Sequence, residues 1–188
     1  MSTTDHKAIV RRYFEEVVDK SRVDILDELA TIDCIIHRPE APEPIVGLEA
    51  FKLALGKILE VYSEFATTIH DLIAEQDRVA CRLSHRAINR GEWTSRIGRH
   101  AVAGRTVTWP AIAIFRFREG KITEEWVSRD ELGMLIDLGV LAPSVRIRGH
   151  PSIIQTTAGR GRRKTAFPHG FDTAAISAVT ASPSRYPI

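Results

Sequence analysis

Cysteine is scarce in this chain of 188 residues. The only two, Cys34 and Cys81, lie far apart, and neither belongs to a Cys-x-x-Cys motif or to a set with zinc-type spacing. The patterns of a disulfide framework and of a structural zinc site are therefore missing. We expect both side chains to be buried free thiols in a protein from a reducing compartment.

Long hydrophobic runs are missing as well. The longest clear apolar stretch, Ala111 to Phe115, is far shorter than the roughly 18 residues that a membrane-spanning helix needs. The first seven residues contain no apolar segment of the signal-peptide type, so we expect a cytoplasmic protein. With 44% hydrophobic and 27% charged residues, the composition is that of a globular domain.

The usual signatures of nucleotide, hydrolase and zinc-protease sites are also absent. The chain contains no Gly-x-Gly-x-x-Gly after a strand, no Walker-type Gly-Lys-Ser/Thr, no Gly-x-Ser-x-Gly and no His-Glu-x-x-His. Five histidines precede residue 142 without metal-ligand spacing: His6, His37, His70, His85 and His100. We expect neither a metal nor an organic cofactor.

Positive charge is concentrated at the end of the chain. Residues 142–188 hold seven Arg and Lys against the single acid Asp172, which gives a formal charge of +6. Since the whole chain has a formal charge of +2, residues 1–141 carry a charge of −4. The last 47 residues also lack hydrophobic periodicity. We predict a folded domain over 1–141 and a flexible basic extension over 142–188. Because the folded part shows no basic face with interleaved aromatics, we expect neither nucleic acid nor membrane as a partner.

Hydrophobic periodicity predicts helices first and strands afterwards. A period near 3.6 indicates helices over residues 6–20, around 23–29 and from 47 to about 62. Strand patterns follow at 65–74, 78–87, 104–118 and 121–128, before a short helix at 132–138. This order favours an α+β fold over a parallel α/β fold.

The last predicted strand contains a candidate acid/base residue. Uninterrupted alternation places Ile122, Glu124, Trp126, Ser128 and Asp130 on one face, with Trp126 and Asp130 side by side. A carboxyl group packed against an indole loses solvation, and its pKa rises toward neutrality. Asp130 also precedes the predicted final helix, where Asp is a preferred N-cap. Spacing alone leaves both roles open.

Three further side chains are candidates for a cavity. His85 shares a strand face with Cys81 and Leu83, so it is either a core histidine or a cavity residue. His37 begins a proline-rich loop and lies either at a cavity rim or in solvent. Trp109 alternates with small residues such as Ala111, which leave room for a ligand.

Four segments carry a resemblance to a known family. They are Gly104-Arg-Thr-Val-Thr-Trp-Pro110, Ile114-Phe-Arg-Phe-Arg-Glu-Gly-Lys-Ile122, Glu125-Trp-Val-Ser-Arg-Asp130 and Leu132-Gly-Met-Leu-Ile-Asp-Leu-Gly139. Through them the chain resembles the SnoaL-like polyketide cyclases (ester cyclases) of the nuclear transport factor 2-like superfamily, over residues 7–141. The Phe-Arg-Phe, Gly-Lys-Ile and Trp-x-x-x-Asp patterns are specific for the family but not for one reaction.

The resemblance implies a particular α+β architecture. Three N-terminal helices and a strongly curved antiparallel sheet form a cone (a cystatin-like α+β barrel), and a short helix follows the last strand. The cone encloses a deep apolar pocket, and the outer face of the sheet forms a homodimer. We expect substrate-binding side chains from six residues: Trp109, Trp126, Asn89, Trp93, Phe51 and Tyr13.

The resemblance also implies a reaction. In polyketide cyclases the acid of the Trp-x-x-x-Asp motif is the general acid/base of an intramolecular aldol ring closure, and Asp130 occupies that position here. His37 and His85 would stabilise the enolate of an apolar, polyketide-like carbonyl substrate by hydrogen bonding. No cofactor is required, since a carbon between two carbonyls is already acidic.

One departure from the family pattern concerns pocket polarity. Ala87-Ile-Asn-Arg-Gly91 stands where many members have Gly-Thr-His-Thr-Gly, so Asn89 replaces a histidine. Two alternatives stay open: a related isomerase, dehydratase or hydrolase, and a non-catalytic module that binds a small ligand or forms a dimeric scaffold, with Asp130 only capping a helix.

Overall fold

The computed structural model describes residues 2–39 and 41–142. Its helices are α1 (Thr3–Arg12), which continues as a π-helical segment (Tyr13–Val18), a 3₁₀ turn (Val23–Ile25), α2 (Leu26–Leu29), α3 (Leu48–Glu60) and α4 (Glu131–Asp137). The Ser2 hydroxyl and the Asp5 carboxylate form a capping box at the start of α1, which satisfies amide groups that the helix itself leaves unpaired.

Residues 2–39 and 41–142 also contain eight strands. They are β1 (Ala30–His37), β2 (Ile45–Val46), β3 (Tyr62–Glu75), β4 (Arg78–Asn89), β5 (Glu92–Ser95), β6 (Gly98–Ala101), β7 (Thr106–Arg118) and β8 (Lys121–Arg129). Six of them form one sheet in the order β2-β1-β8-β7-β4-β3, and β5 and β6 form a separate hairpin. The predicted α+β fold is thus confirmed.

The core lies between the helices and one face of the sheet. Alternate residues of β7, from Val107 to Phe117, are buried, while most of those between them are exposed. Tyr13 and Phe14 of the π-helical segment pack edge-on against Phe115 of β7. Each such buried aromatic or aliphatic side chain contributes roughly 1.5–3 kcal/mol through removal of apolar surface from water.

Two features of the sheet depart from the expectation. β1 pairs in parallel with β8, so the sheet is mixed rather than wholly antiparallel. β8 also contains a bulge: Glu124 lies opposite Arg116 and Ile122 opposite Phe117, which leaves Thr123 as the extra residue. A single extra residue inverts the alternation of the strand from that point onward.

The two cysteines are buried free thiols, as predicted. Within residues 2–39 and 41–142, no helix is both long and apolar enough to cross a bilayer. Residues 143–188, and with them nearly all of the predicted basic extension, lie outside the described part of the chain.

Candidate active site

A small cavity lies between the sheet, the π-helical segment and α3. Its volume is about 60 Å³, room for only a few water molecules. Most of the wall is apolar or aromatic and includes Tyr13, Phe14, Phe65, Leu83 and Trp109. Charged or titratable groups also reach it, from Arg38, Tyr62, His85, Glu125 and Arg129 in addition to Tyr13. A mainly apolar wall with a few convergent polar groups is typical of a small-molecule site.

A wider cleft of about 370 Å³ adjoins this cavity. Arg38, Ile58, Tyr62 and Arg129 line both spaces, so these four side chains form the boundary between them. The cleft is further lined by Trp93 of β5, among others. A ligand in the cleft would therefore meet Arg38 and Arg129 before it reached the inner cavity.

A buried carboxylate dominates the inner cavity. Glu125 is only 2% exposed, and its Oε2 accepts a hydrogen bond from Nη2 of Arg38 at 3.1 Å. The same guanidinium nitrogen donates to the Tyr13 hydroxyl at 3.5 Å, so both the hydroxyl and the Glu125 carboxylate lie next to it. Burial raises the pKa of Glu125, whereas the positive charge of Arg38 opposes that shift. Burial also raises the pKa of Tyr13, so its phenol stays protonated.

The bulge at Thr123 explains why Glu125 faces inward. Before the bulge Ile122 is buried opposite Phe117, and after it Glu125 is buried opposite Phe115. Arg38 reaches the same place because it directly follows β1, the parallel neighbour of β8. The chain thus brings together two charges that are 87 residues apart.

His85 is a further polar side chain in the cavity, in addition to Glu125 and its neighbours. Its Nδ1 lies 2.9 Å from Oγ1 of Thr67, which sits directly across from it on β3. Thr67 Oγ1 donates to Oδ1 of Asp19 at 2.5 Å, and the Thr67 amide donates to Oδ2 of Asp19 at 3.2 Å. Burial, and secondarily the charges of Arg38 and Arg129, lower the pKa of His85 to about 3, so the ring is neutral at pH 7.

Aromatic rings hold the His85 imidazole on several sides. The ring centroids of Phe65, Trp109 and Phe14 lie 5.1, 5.2 and 5.9 Å from that of His85. Trp109 is the cross-strand neighbour of His85 on β7, as Thr67 is on β3. The imidazole therefore has little freedom to change its rotamer.

The sequence profile of the SnoaL-like polyketide cyclases matches residues 8–138. The chain belongs to the SnoaL-like polyketide cyclase family. TsrD from Streptomyces laurentii has the same fold, with a TM-score of 0.64 at 20% identity over 75% of this chain and 99% of TsrD. A SnoaL-like polyketide cyclase from Agrobacterium tumefaciens gives 0.61 at 19% identity over 74% and 100% of the two chains. No curated protein sequence matches.

In this SnoaL-like chain, Asp130 lies outside the cavity. Its side chain is exposed, and Oδ1 accepts a hydrogen bond from the Gly133 amide at 2.8 Å, which makes Asp130 the N-cap of α4. The prediction that it shares a face with Ile122 is wrong, because the bulge at Thr123 intervenes. Of the two roles that spacing left open, the cap is the one that this geometry fits.

His37 and Trp126 also lie away from the cavity, on the outer face of the sheet. They are opposite each other on β1 and β8, and their rings stack at 5.4 Å. His37 Nε2 lies 2.9 Å from Oε1 of Glu124, whose other oxygen accepts from Arg116 at 2.7 Å. The expectation that His37 and Trp126 face the substrate pocket is therefore wrong for this structure.

The remaining predicted binding residues lie in four different places. Trp109 and Tyr13 line the inner cavity together with His85, and Trp93 lines the adjoining cleft. Phe51 is buried beneath Tyr13 and the Arg38 guanidinium and contributes to the core. Asn89 is buried, and its Nδ2 donates to the Arg105 carbonyl, so it closes the end of β4 without reaching the cavity.

Sequence reasoning missed Glu125, Arg38 and Arg129. One signal was available, since Glu125 and Arg129 both belong to a segment through which the chain resembles its family. The inward orientation of Glu125 and Arg129 was hidden because a bulge is not visible in a hydrophobic pattern, and Arg38 was missed because β1 was not predicted. Within residues 2–39 and 41–142, no group of three His, Cys, Asp or Glu side chains is arranged to hold a metal ion.

Proposed function

We propose that this chain is a cyclase-type enzyme that applies acid/base chemistry to an apolar carbonyl compound inside the cone. The observation that carries the proposal is the buried Glu125 carboxylate in the cavity wall, with Arg38 and the Tyr13 hydroxyl beside it. A carboxylate with a raised pKa is a stronger base than an exposed one, and buried donors next to it stabilise developing negative charge.

The proposed reaction is an intramolecular aldol ring closure. Glu125 removes a proton from a carbon between two carbonyl groups, and Arg38 and Tyr13 donate hydrogen bonds to the resulting enolate oxygen. The enolate carbon then forms a bond to a second carbonyl carbon of the same molecule. Protonated Glu125 returns the proton to the new alkoxide, so the base is regenerated and no cofactor is consumed.

This mechanism gives Glu125 the role that the family resemblance implies for Asp130. The two assignments predict different effects of substitutions at these two residues on the rate of proton exchange. Glu125→Gln should slow deuterium uptake from D₂O at the central carbon of a 1,3-diketone by about 10²–10⁴-fold relative to the unmodified enzyme. Asp130→Asn keeps the cap and should change that rate less than about twofold. NMR integration above the uncatalysed background measures both, and the opposite pattern would restore Asp130 as the base.

The small cavity favours one alternative, a non-catalytic ligand-binding module. A space of about 60 Å³ holds only part of a polyketide, and Glu125 already has Arg38 as a partner. Under this alternative the 1,3-diketone binds, observed as a shift in melting temperature, but its exchange rate stays at background in the unmodified protein.

We also propose a homodimer through the outer face of the sheet. Supporting this, Ile73, Ala80 and Ile114 form one row across β3, β4 and β7, and Ile73 and Ile112 are 68% and 54% exposed. Ile112→Glu should convert a dimer to a monomer in sedimentation analysis, whereas the same change at Ile97 in the β5–β6 turn should not. A monomeric unmodified protein would refute the proposal.

A further inference from the structure

The hydrogen bonds around His85 determine which of its ring nitrogens carries the proton. An ionised carboxylate only accepts hydrogen bonds, and Asp19 accepts two from Thr67, one from the amide and one from the hydroxyl. The Thr67 hydroxyl has one hydrogen, which is used in that bond. Toward His85 Nδ1 at 2.9 Å, Thr67 Oγ1 therefore acts as an acceptor, and Nδ1 must carry the hydrogen.

The neutral ring then has its lone pair on Nε2. Since His85 lines the cavity and Nδ1 is engaged by Thr67, Nε2 is the nitrogen that a ligand can reach. A neutral imidazole with the proton on Nδ1 accepts a hydrogen bond through Nε2 but donates none there. This differs from the expectation that His85 stabilises an enolate, because that task requires a donor.

We propose that Asp19 and Thr67 hold His85 in the Nδ1-protonated tautomer, and that its Nε2 selects ligands with a hydroxyl donor, such as an enol or a phenol. Asp19 and Thr67 are positioning residues in this scheme, and His85 is a specificity-determining residue. The proposal rests on the proposed function only in taking the cavity as the substrate site.

The tautomer gives the substrate an orientation. Arg38 and Tyr13 supply donors at the Glu125 side of the cavity, whereas His85 supplies an acceptor. A carbonyl oxygen next to Nε2 would face a lone pair and leave both groups unpaired, which costs free energy in a buried site. The reacting carbonyl therefore belongs near Arg38, and a hydroxyl group belongs near His85.

The first test reads the tautomer directly and needs no turnover. Nitrogen-15 NMR of the full-length protein at pH 7 should show a protonated Nδ1 and an unprotonated Nε2 for His85, identified by the signal lost in His85→Phe. Thr67→Ser keeps the hydroxyl and should keep this pattern, whereas Thr67→Val should shift the proton population toward Nε2. An Nε2-protonated or doubly protonated ring in the unmodified protein, or no change in Thr67→Val, would overturn the proposal.

The second test measures selection with phenol and benzaldehyde, two small aromatic probes that differ in offering a donor or an acceptor. The unmodified protein and Thr67→Ser should bind phenol about tenfold more tightly than benzaldehyde, the ratio that one unmade buried hydrogen bond produces. Thr67→Val should lose or reverse this preference, and His85→Phe should lose it.

Isothermal titration calorimetry gives the ratio of the phenol and benzaldehyde affinities for each protein. Equal affinities in the unmodified protein would overturn the selection even if the tautomer is as proposed. A failure of catalysis in the diketone exchange experiment would leave both readouts intact, so the two proposals can fail separately.

Discussion

Glu124 and Glu125 are neighbours in the chain but belong to opposite faces of the sheet. On the outer face, Glu124 bonds with Arg116 and His37, and its side chain is 17% exposed. On the inner face, Glu125 bonds with Arg38 and is 2% exposed. Both carboxylates thus have an arginine partner, and what separates them is access to water.

That difference decides what each carboxylate can do. An ion pair near the surface is solvated and screened, so it changes stability and proton affinity little. A buried pair retains its charge only through its partner, and a loss of either member leaves an unsolvated charge. The few charged side chains of the inner face therefore interact strongly with one another. Such interactions shift pKa values, and acid/base catalysis depends on shifted pKa values.

The largest expected contrast in stability is between alanine substitutions at these two neighbours. Glu125→Ala takes the buried carboxylate away from the Arg38 guanidinium, whose side chain is 13% exposed, and should lower the free energy of unfolding by about 3–5 kcal/mol. Glu124→Ala removes a partly solvated pair and should cost about 1 kcal/mol or less. Urea unfolding at pH 7 measures both, and equal losses would show that burial is not what separates the two sites.

A double substitution sharpens this contrast. Arg38→Met combined with Glu125→Leu removes both charges at once and should recover most of the stability lost in Glu125→Ala, because neither charge of the pair remains. If the double variant is as unstable as the single one, the loss comes from packing rather than from the Arg38 charge left after removal of the Glu125 carboxylate.

The next contrast concerns acid stability and His85. The folded-state pKa of His85 is about 3, below the value near 6.5 of an unfolded chain. Between these values the unfolded state binds more protons, so the folded state loses stability as the pH falls from 6.5 toward 3. From pH 7 to pH 5, His85 should contribute about 2 kcal/mol to this loss.

His85→Phe should remove that contribution, since phenylalanine does not titrate. The difference in unfolding free energy between the unmodified protein and His85→Phe should therefore change by about 2 kcal/mol between pH 7 and pH 5. Trp109→Phe alters the same aromatic wall without removing a titratable group and should show no such change. A pH-independent difference for His85→Phe would mean that the imidazole is solvated.

Elements with a clean hydrophobic period were predictable from the sequence. The strands predicted at 78–87 and 121–128 correspond to β4 and β8, and the helix predicted from 47 corresponds to α3. β1 was not predicted. Its buried positions do not alternate, with both Ile32 and Asp33 exposed between Ala30 and Cys34, and its pairing with β8 shifts register.

The candidate site was less predictable than the fold. The inward position of His85 followed from the alternation of β4, and Trp109 followed from that of β7. Glu125 and Arg38 did not, because the first depends on one extra residue at Thr123 and the second on the unpredicted strand β1. A one-residue irregularity leaves a strand prediction intact while it reverses every side chain beyond it.

Substitutions of Asp130, which directly follows β8, test whether the bulge has reversed the side chains at the end of this strand. Their expected effect on the free energy of unfolding is the smallest of those discussed. If its carboxylate serves only to cap α4 through the Gly133 amide, Asp130→Ala should lower the free energy of unfolding by about 1 kcal/mol, and Asp130→Ser should cost much less. A buried, strained carboxylate would behave in the opposite way, since its removal often stabilises a protein at the expense of activity. Thermal unfolding of both variants separates the two cases. A stabilising Asp130→Ala would mean that the carboxylate lies inside the cone, and the register of β8 would then have to differ from the one in the structure.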